Sequence, residues 1–134
     1  METTVRVLQN VQFSVEARGH RLVCDQPRES AGDDGGMTPP ELMLASLATC
    51  AAFYVVQYLK FNRMSSEGLE VRVEADKAMN PPRLGAFRIL VDAPMATGER
   101  HVEGVRKAAE KCLIHNTLLY PPSMEIRVAA PAVV

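Results

Sequence analysis

An apolar stretch, residues 38–60 (TPPELMLASLATCAAFYVVQYLK), dominates this sequence and limits the folds open to it. Thr38 is a favoured N-cap, Pro39 suits a first helical turn, and Glu41 completes a capping box with Thr38. The stretch therefore predicts a helix that runs to about Asn62, roughly 36 Å long at about 1.5 Å per residue. Its first turns are apolar on nearly every face, so we expect other parts of the protein to cover the helix from all sides. A chain of 134 residues has little material for that cover, which indicates a partner subunit.

The overall composition is that of a globular domain without a strong charge bias. Residues 1–134 are enough for one domain with a real core, and the sequence contains no internal repeat. The net charge is −1 with basic residues scattered, so nucleic acid and membranes are poor candidates as partners. The apolar run at residues 42–56 is shorter than the roughly 20 residues that span a bilayer. With three cysteines and no secretory signal, we expect reduced thiols and a cytoplasmic protein.

Alternation of apolar and polar residues predicts strands on both sides of this helix. Strands are predicted at residues 5–7, 11–25 (a hairpin), 71–75, 87–91 and 124–129. Helical spacing of apolar residues predicts a second helix at residues 99–112. The predicted order is three strands, a long helix, two strands, a helix and a final strand, which makes a single α+β domain.

Two of the three cysteines, Cys50 and Cys112, lie at core-facing helical positions and can meet in the fold. One thiolate would attack a peroxide and become a sulfenic acid, which the other thiol would capture as a disulfide. The same positions also suit plain core residues, because buried free cysteine behaves as a small hydrophobe. Both interpretations remain open on spacing alone. Cys24 alternates with Leu22 in a strand and is predicted to be a core residue.

A reactive thiolate at Cys50 requires a nearby cation. The pKa of a free cysteine is about 8.5, and Cys50 lies about three turns into the helix, too far for the helix dipole to help much. The candidate cations are Arg6, Arg18 and Arg21, with Arg18 first because it lies in the predicted hairpin turn. Glu41 could orient such an arginine, although the capping box is sufficient to explain it.

Other catalytic patterns are weak in this sequence. Cys112 and His115 are three residues apart, but no C-x-x-C is present and the other histidines are distant, which argues against a zinc site. Ser46 has no G-x-S-x-G context, so a serine hydrolase is not expected. Gly35-Gly36 lacks the rest of a phosphate-binding loop.

The segments DGGMTPPELMLASLATC and KCLIHNTL resemble the OsmC/Ohr family of thiol-dependent peroxidases. The resemblance covers most of the chain, and the run T-P-x-E-L-x-L-A-x-L-x-x-C with a late second cysteine is specific to that family. It implies an OsmC-like fold, with an antiparallel sheet and a long buried central helix, in an intertwined homodimer. It also implies that Cys50 is peroxidatic and Cys112 resolving, at a subunit interface. An N-terminal arginine, here Arg18, would support the thiolate and a helix glutamate, here Glu41, would hold that arginine.

The resemblance implies reduction of organic hydroperoxides or hydrogen peroxide through a Cys50–Cys112 disulfide. A dithiol such as a lipoylated protein would regenerate the thiols, without a metal or organic cofactor. Two positions depart from the family. Pro40 stands ten residues before the first cysteine, where the family has its glutamate, and Glu41 is rotated about 100° round the helix from it. Leu113 stands where many members have proline.

These departures place the chain nearer to the general OsmC-like branch than to the core Ohr enzymes. They leave an alternative open: a non-catalytic OsmC-like protein that senses oxidants or binds a small apolar ligand. Turnover of a peroxide by the purified protein separates the two functions.

Overall fold

The computed structural model describes residues 1–131, which form an α+β fold with two antiparallel sheets. Three strands pair in sequence order in the first sheet, and two later strands form the second. In chain order the elements are β1 (Thr4–Gln9), β2 (Gln12–Ala17), β3 (His20–Cys24), α1 (Pro39–Phe61), β4 (Glu70–Ala78), β5 (Arg83–Asp92), α2 (Glu99–Glu110) and α3 (Leu113–Leu119). The predicted α+β class and the predicted order as far as α2 are confirmed.

Helix α1 begins and ends where the sequence predicts. The Glu41 N–H donates to Thr38 Oγ1 at 3.4 Å, and the Thr38 N–H and hydroxyl donate to Glu41 Oε1 at 3.1 and 2.7 Å. This capping box satisfies N–H groups that have no partner inside the helix. Asn62 is the C-cap. Local signals alone therefore define both ends of the element that carries Cys50.

One stripe of α1 is buried within the chain. The buried side chains are spaced four residues apart: Leu47, Ala51, Val55 and Leu59. The last three pack with Val105 and Ala109 of α2 in the main core. Phe53, on another side of α1, is 57% exposed, so one chain alone does not give the cover from all sides that we expect. By length and composition α1 is also able to cross a membrane, a property that core helices of soluble proteins share.

The sheet β1–β3 has an apolar face that its own chain leaves largely open. Two rows of facing residues form this face: Val5, Val15 and Leu22 in one, Val7, Phe13 and Cys24 in the other. Cys24 is buried, as predicted, whereas Val5, Val7 and Leu22 are exposed. The sheet packs little against α1 of the same chain.

A buried carboxylate organises the loop that leads from β3 to α1. Asp25 is 1% exposed and accepts the N–H groups of Gln26, Asp33 and Gly35 at 2.7, 3.3 and 2.9 Å. The side-chain amide of Gln12 donates to it at 3.2 Å. These donors, Gly35 first, lower the pKa of the Asp25 carboxyl below its ordinary value, so it is ionised at neutral pH.

Two C-terminal features differ from the prediction. The predicted helix at residues 99–112 ends at Glu110, and a separate helix, α3, follows Cys112. The predicted final strand at residues 124–129 is wrong for the single chain. A strand needs a hydrogen-bonded neighbour, and within the described part of the chain no strand pairs with this segment.

Candidate thiol site

The structure brings Cys50 and Cys112 together. Cys50 lies on α1 and is half-buried, whereas Cys112 precedes α3 and is fully buried. Their thiols are neighbours, close enough for the Cys50 thiol to shift the pKa of Cys112. Both are free thiols, as is Cys24. The site thus has one thiol that solvent can reach and one that it cannot.

Cys112 is the N-cap of α3. Its Sγ accepts a hydrogen bond from the His115 N–H at 3.4 Å. Its own N–H donates to the Ala109 carbonyl at 3.3 Å, which ties it to the end of α2. Ser, Thr, Asp and Asn are the usual residues at an N-cap, and here a thiol takes their place. The cap therefore holds the sulfur at the junction of α2 and α3.

Burial raises the pKa of the Cys112 thiol above its ordinary value, and the neighbouring Cys50 thiol raises it further. The N–H groups of His115 and Ile114 lower it, but they do not outweigh burial. Cys112 is therefore protonated at neutral pH, and a protonated thiol is a poor nucleophile. A dissolved oxidant meets Cys50 first.

The arginines predicted to support Cys50 all lie on the sheet β1–β3. Arg18 occupies the exposed turn between β2 and β3 with φ 52°, and Arg6 lies on β1. Arg21 forms an ion pair with Glu16 at 3.1 Å. Within residues 1–131, none of the three donates a hydrogen bond to Cys50, and neither Arg6 nor Arg18 forms an ion pair.

Glu41 serves the start of α1 in the single chain. The hydroxyl and N–H of Thr38 lower the pKa of the Glu41 carboxyl below its ordinary value. Glu41 lies nine positions before Cys50, which is about 13.5 Å along a helix axis, so the carboxylate cannot contact the sulfur. Its exposed position leaves it available to an arginine from another surface.

A cavity of about 1380 Å³ lies between β5, α2 and α3. Its wall is mainly apolar and includes Phe87 and Ile89 of β5 and Val105 of α2. Leu47 and Ala109, each three residues before a cysteine of the pair, also line it. The cavity therefore reaches the two helices that position the thiols.

His115 is a polar group in this apolar wall. Its Nδ1 is buried and has no hydrogen-bond partner in the described part of the chain. Across residues 1–131 no cluster of three or more His, Cys, Asp and Glu side chains is arranged to hold a metal ion. In the sequence, His115 is notable only because it follows Cys112 by three residues. That spacing gave weak support for a metal site.

Comparison with known proteins assigns the family. Residues 32–127 match the sequence profile of the family described as OsmC-like protein. The chain belongs to the OsmC-like family. The match contains Glu41, Cys50 and Cys112, whereas Arg18 precedes it. No functionally curated protein matches the chain.

Solved structures share the fold of this OsmC-like protein. An osmotic stress induced and detoxification response protein from Psychrobacter arcticus 273-4 is 16% identical with a TM-score of 0.78, over 86% of this chain and 85% of that one. An OsmC-like protein from Mycoplasma pneumoniae is 17% identical with a TM-score of 0.76, over 88% and 86% of the two chains. An organic hydroperoxide resistance protein OsmC from Legionella pneumophila is 22% identical with a TM-score of 0.67, over 88% and 89%. The predicted OsmC-like fold is confirmed.

Proposed function

We propose that this protein is a thiol-dependent peroxidase that reduces organic hydroperoxides or hydrogen peroxide. The observation that carries the proposal is the pairing of a half-buried Cys50 with a fully buried Cys112. Membership of the OsmC-like family supports it. So do the names of two solved structures with this fold, hydroperoxide resistance proteins from Legionella pneumophila and Jannaschia sp. CCS1.

The chemistry divides between the two cysteines. The Cys50 thiolate attacks the terminal oxygen of the peroxide, the O–O bond breaks, and the alkoxide or hydroxide leaves and takes up a proton. The Cys112 sulfur then attacks the Cys50 sulfenic acid, which releases water and forms the disulfide. A dithiol, for example a lipoylated protein, reduces that disulfide by thiol–disulfide exchange.

The working unit under this proposal is an intertwined homodimer. One chain leaves two apolar surfaces open, the inner face of β1–β3 and the outer sides of α1. Met124, Ile126 and Val128 add a third exposed apolar row. Burial of apolar surface contributes about 25 cal/mol per Å². A second copy carries the same surfaces, so a two-fold arrangement can cover all of them at once.

A second copy also supplies a cation for the thiolate. Arg18 lies at the tip of the sheet whose apolar face is open. If that face covers α1 of the partner subunit, Arg18 comes from one chain and Cys50 from the other. The exposed Glu41 carboxylate is then placed to hold the guanidinium, and the charge stabilises both the thiolate and the leaving oxygen.

The cavity favours the second candidate function, a non-catalytic protein that senses oxidants or binds a small apolar ligand. Its volume of about 1380 Å³ and its mainly apolar wall leave room for a small apolar ligand, since ordinary ligand pockets measure roughly 300–1,000 Å³. Side chains of a partner subunit can fill part of that space. Activity toward peroxide, rather than cavity size, decides between the two functions.

The test is a peroxide titration with mass spectrometry. We expect one equivalent of cumene hydroperoxide or hydrogen peroxide to form the Cys50–Cys112 disulfide and to leave Cys24 free. Cys50→Ser should abolish peroxide consumption, whereas Cys112→Ser should accumulate a Cys50 sulfenic acid that dimedone traps. Cys24→Ala, a change on the first sheet, is the matched control and should behave as the unmodified protein. Thiols that stay reduced under excess peroxide would contradict the proposal and favour the binding function.

A further inference from the structure

We propose that the cavity between β5, α2 and α3 binds a single-chain carboxylate, with the hydrocarbon chain against the apolar wall and the carboxylate group on Arg83. The inference goes beyond the proposed peroxidase function, because it concerns a site that neither Cys50 nor Cys112 lines. It also goes beyond the second candidate function, since it gives the ligand a charged head group and names the partner of that group.

The wall of the cavity suits a hydrocarbon chain. Apolar side chains from three elements form most of it, among them Phe87 and Ile89 of β5, Val102 and Val105 of α2, and Leu118 of α3. Small-molecule sites are typically lined in this way, with a small number of polar groups that fix the orientation of the ligand. The polar groups of the wall therefore indicate which head group the ligand carries.

The wall contains one arginine whose charge is not compensated. Four ionisable side chains line the cavity: Arg83, Arg106, Glu110 and His115. Arg106 forms ion pairs with Glu103 and Glu110, so its charge is balanced within the chain. Within residues 1–131 no carboxylate forms an ion pair with Arg83, and an arginine stays protonated in proteins. His115 forms no ion pair in this part of the chain either, so it is varied separately in the test.

The Arg83 guanidinium is held in place and still has donors to offer. Its Nη1 donates to the Met79 and Pro81 carbonyls, in the turn between β4 and β5, at 2.7 and 3.0 Å. The N–H groups on Nε and Nη2 have no partner in the described part of the chain. Two such parallel N–H groups match the two oxygens of a carboxylate. Because the turn already orients the guanidinium, less conformational entropy is lost when a ligand binds.

The charge of the wall selects among head groups. A single uncompensated cation suits one negative charge, whereas a phosphate monoester carries about −1.5 to −2 at neutral pH and would keep part of that charge unpaired. A neutral alcohol gains no charge-assisted hydrogen bond from Arg83, and an ammonium group is repelled by it. The ligand class that fits both the wall and Arg83 is therefore an alkyl chain with one carboxylate.

The test is isothermal titration calorimetry of the full chain, with reduced thiols and without peroxide. The probes are decanoate, octanoate and decan-1-ol. We expect decanoate to bind more tightly than decan-1-ol by about 10-fold or more, because only decanoate forms a charge-assisted hydrogen bond. Octanoate should bind more weakly than decanoate, by up to about 4-fold for each CH₂ group removed.

Variants then locate the head group and the chain. Arg83→Gln should weaken decanoate binding by about 10-fold or more and leave decan-1-ol binding unchanged, and Arg83→Lys should lie between because it keeps the charge without the fork. Phe87→Ser should weaken both ligands, since it removes an aromatic ring from the wall. His115→Gln should keep the preference for decanoate. The matched control is Arg100→Gln, which changes an exposed arginine of α2 outside the cavity wall and should match the unmodified protein.

Three results would overturn the inference: equal affinity of the unmodified protein for decanoate and decan-1-ol, equal loss of decanoate binding in Arg83→Gln and Arg100→Gln, or no binding of any probe. The last result would mean that side chains of a second copy fill the cavity. Circular dichroism checks folding, and Arg83→Lys provides the test if Arg83→Gln does not fold. Because no measurement uses peroxide, failure of the peroxidase proposal would leave this result unaffected, and the reverse also holds.

Discussion

Gly104 of α2 lies against the ring of Tyr58 of α1, and the close approach leaves no room for a side chain. A Cβ at this position would lie 2.0 Å from Tyr58 Oη and 2.2 Å from its Cζ. The ring is held in place because the hydroxyl also bonds to His101 Nδ1 at 2.9 Å. Gly104→Ala should therefore lower the free energy of unfolding by about 1–3 kcal/mol, measured by urea denaturation.

Gly85 is the matched control for this substitution. A Cβ there would meet the Ala78 Cβ at 3.4 Å, an ordinary contact. Gly85→Ala should change stability far less than Gly104→Ala. Equal effects at the two positions would mean that the Tyr58 ring moves aside and that this helix contact is loose.

Asp25 makes the stability of the domain depend on pH. Its pKa is lowered in the folded state, so its stabilising contribution is complete above the unfolded value of about 3.9 and is lost as the pH falls through the folded pKa. Asp25→Asn places an amide NH₂ against N–H donors and should destabilise the fold at neutral pH. The difference in unfolding free energy between the two proteins should shrink as the solution becomes strongly acidic. A difference that is constant with pH would show that the Asp25 charge is not involved.

The capping box sets the stability of α1 without touching the thiols. Thr38→Ala removes the hydroxyl that accepts the Glu41 N–H, and the loss of such a cap costs about 1 kcal/mol. We expect that decrease in chemical denaturation, with the rate of Cys50–Cys112 disulfide formation unchanged. Thr49→Ala on the same helix is the control: its hydroxyl bonds to the Ala45 and Ser46 carbonyls of its own helix, so its loss should not destabilise the fold. A large fall in the disulfide rate of Thr38→Ala would contradict this prediction, because it would show that the N-cap also positions the thiol site.

Elements with local signals were predictable from the sequence, and those that depend on neighbours were not. The N-cap and proline define the start of α1, and alternation defines the hairpin β2–β3. The break between α2 and α3 has no such signal, because no glycine or proline stands between Glu110 and Leu113. The pairing of Cys50 with Cys112 was predictable because both lie at core-facing helical positions. The N-cap role of Cys112 was not, because it depends on the break between α2 and α3. The orphan His115 nitrogen depends on packing and has no signature in the sequence.

The assembly of the whole molecule is tested by its C-terminal segment. Met124, Ile126 and Val128 are 88, 90 and 87% exposed, and Glu125 and Arg127 between them form an ion pair at 3.0 Å. This alternation suits a strand that finds its neighbour on a second copy. Burial of one such large apolar side chain in an interface contributes about 1.5–3 kcal/mol to the free energy of association.

Ile126→Asp/Val128→Asp should therefore raise the dimer dissociation constant by about 10²-fold or more, measured by analytical ultracentrifugation. Arg127→Ala is the control: it removes only an exposed ion pair, which is worth about 0–1 kcal/mol, so the dimer should persist. If the double variant sediments as the unmodified protein does, the segment lies outside the interface.

The Cys112 sulfur caps α3 by accepting the His115 N–H and is also the neighbour of the Cys50 thiol. A disulfide would bring the two sulfurs to about 2.05 Å, and we expect this to draw the Cys112 sulfur away from the His115 N–H. Oxidation therefore loosens the first turn of a seven-residue helix, and reduction tightens it again. Amide hydrogen exchange in α3 should be faster in the oxidised protein. The redox state of the two cysteines would then control the dynamics of the first turn of α3, in the wall of the cavity that this helix helps to form.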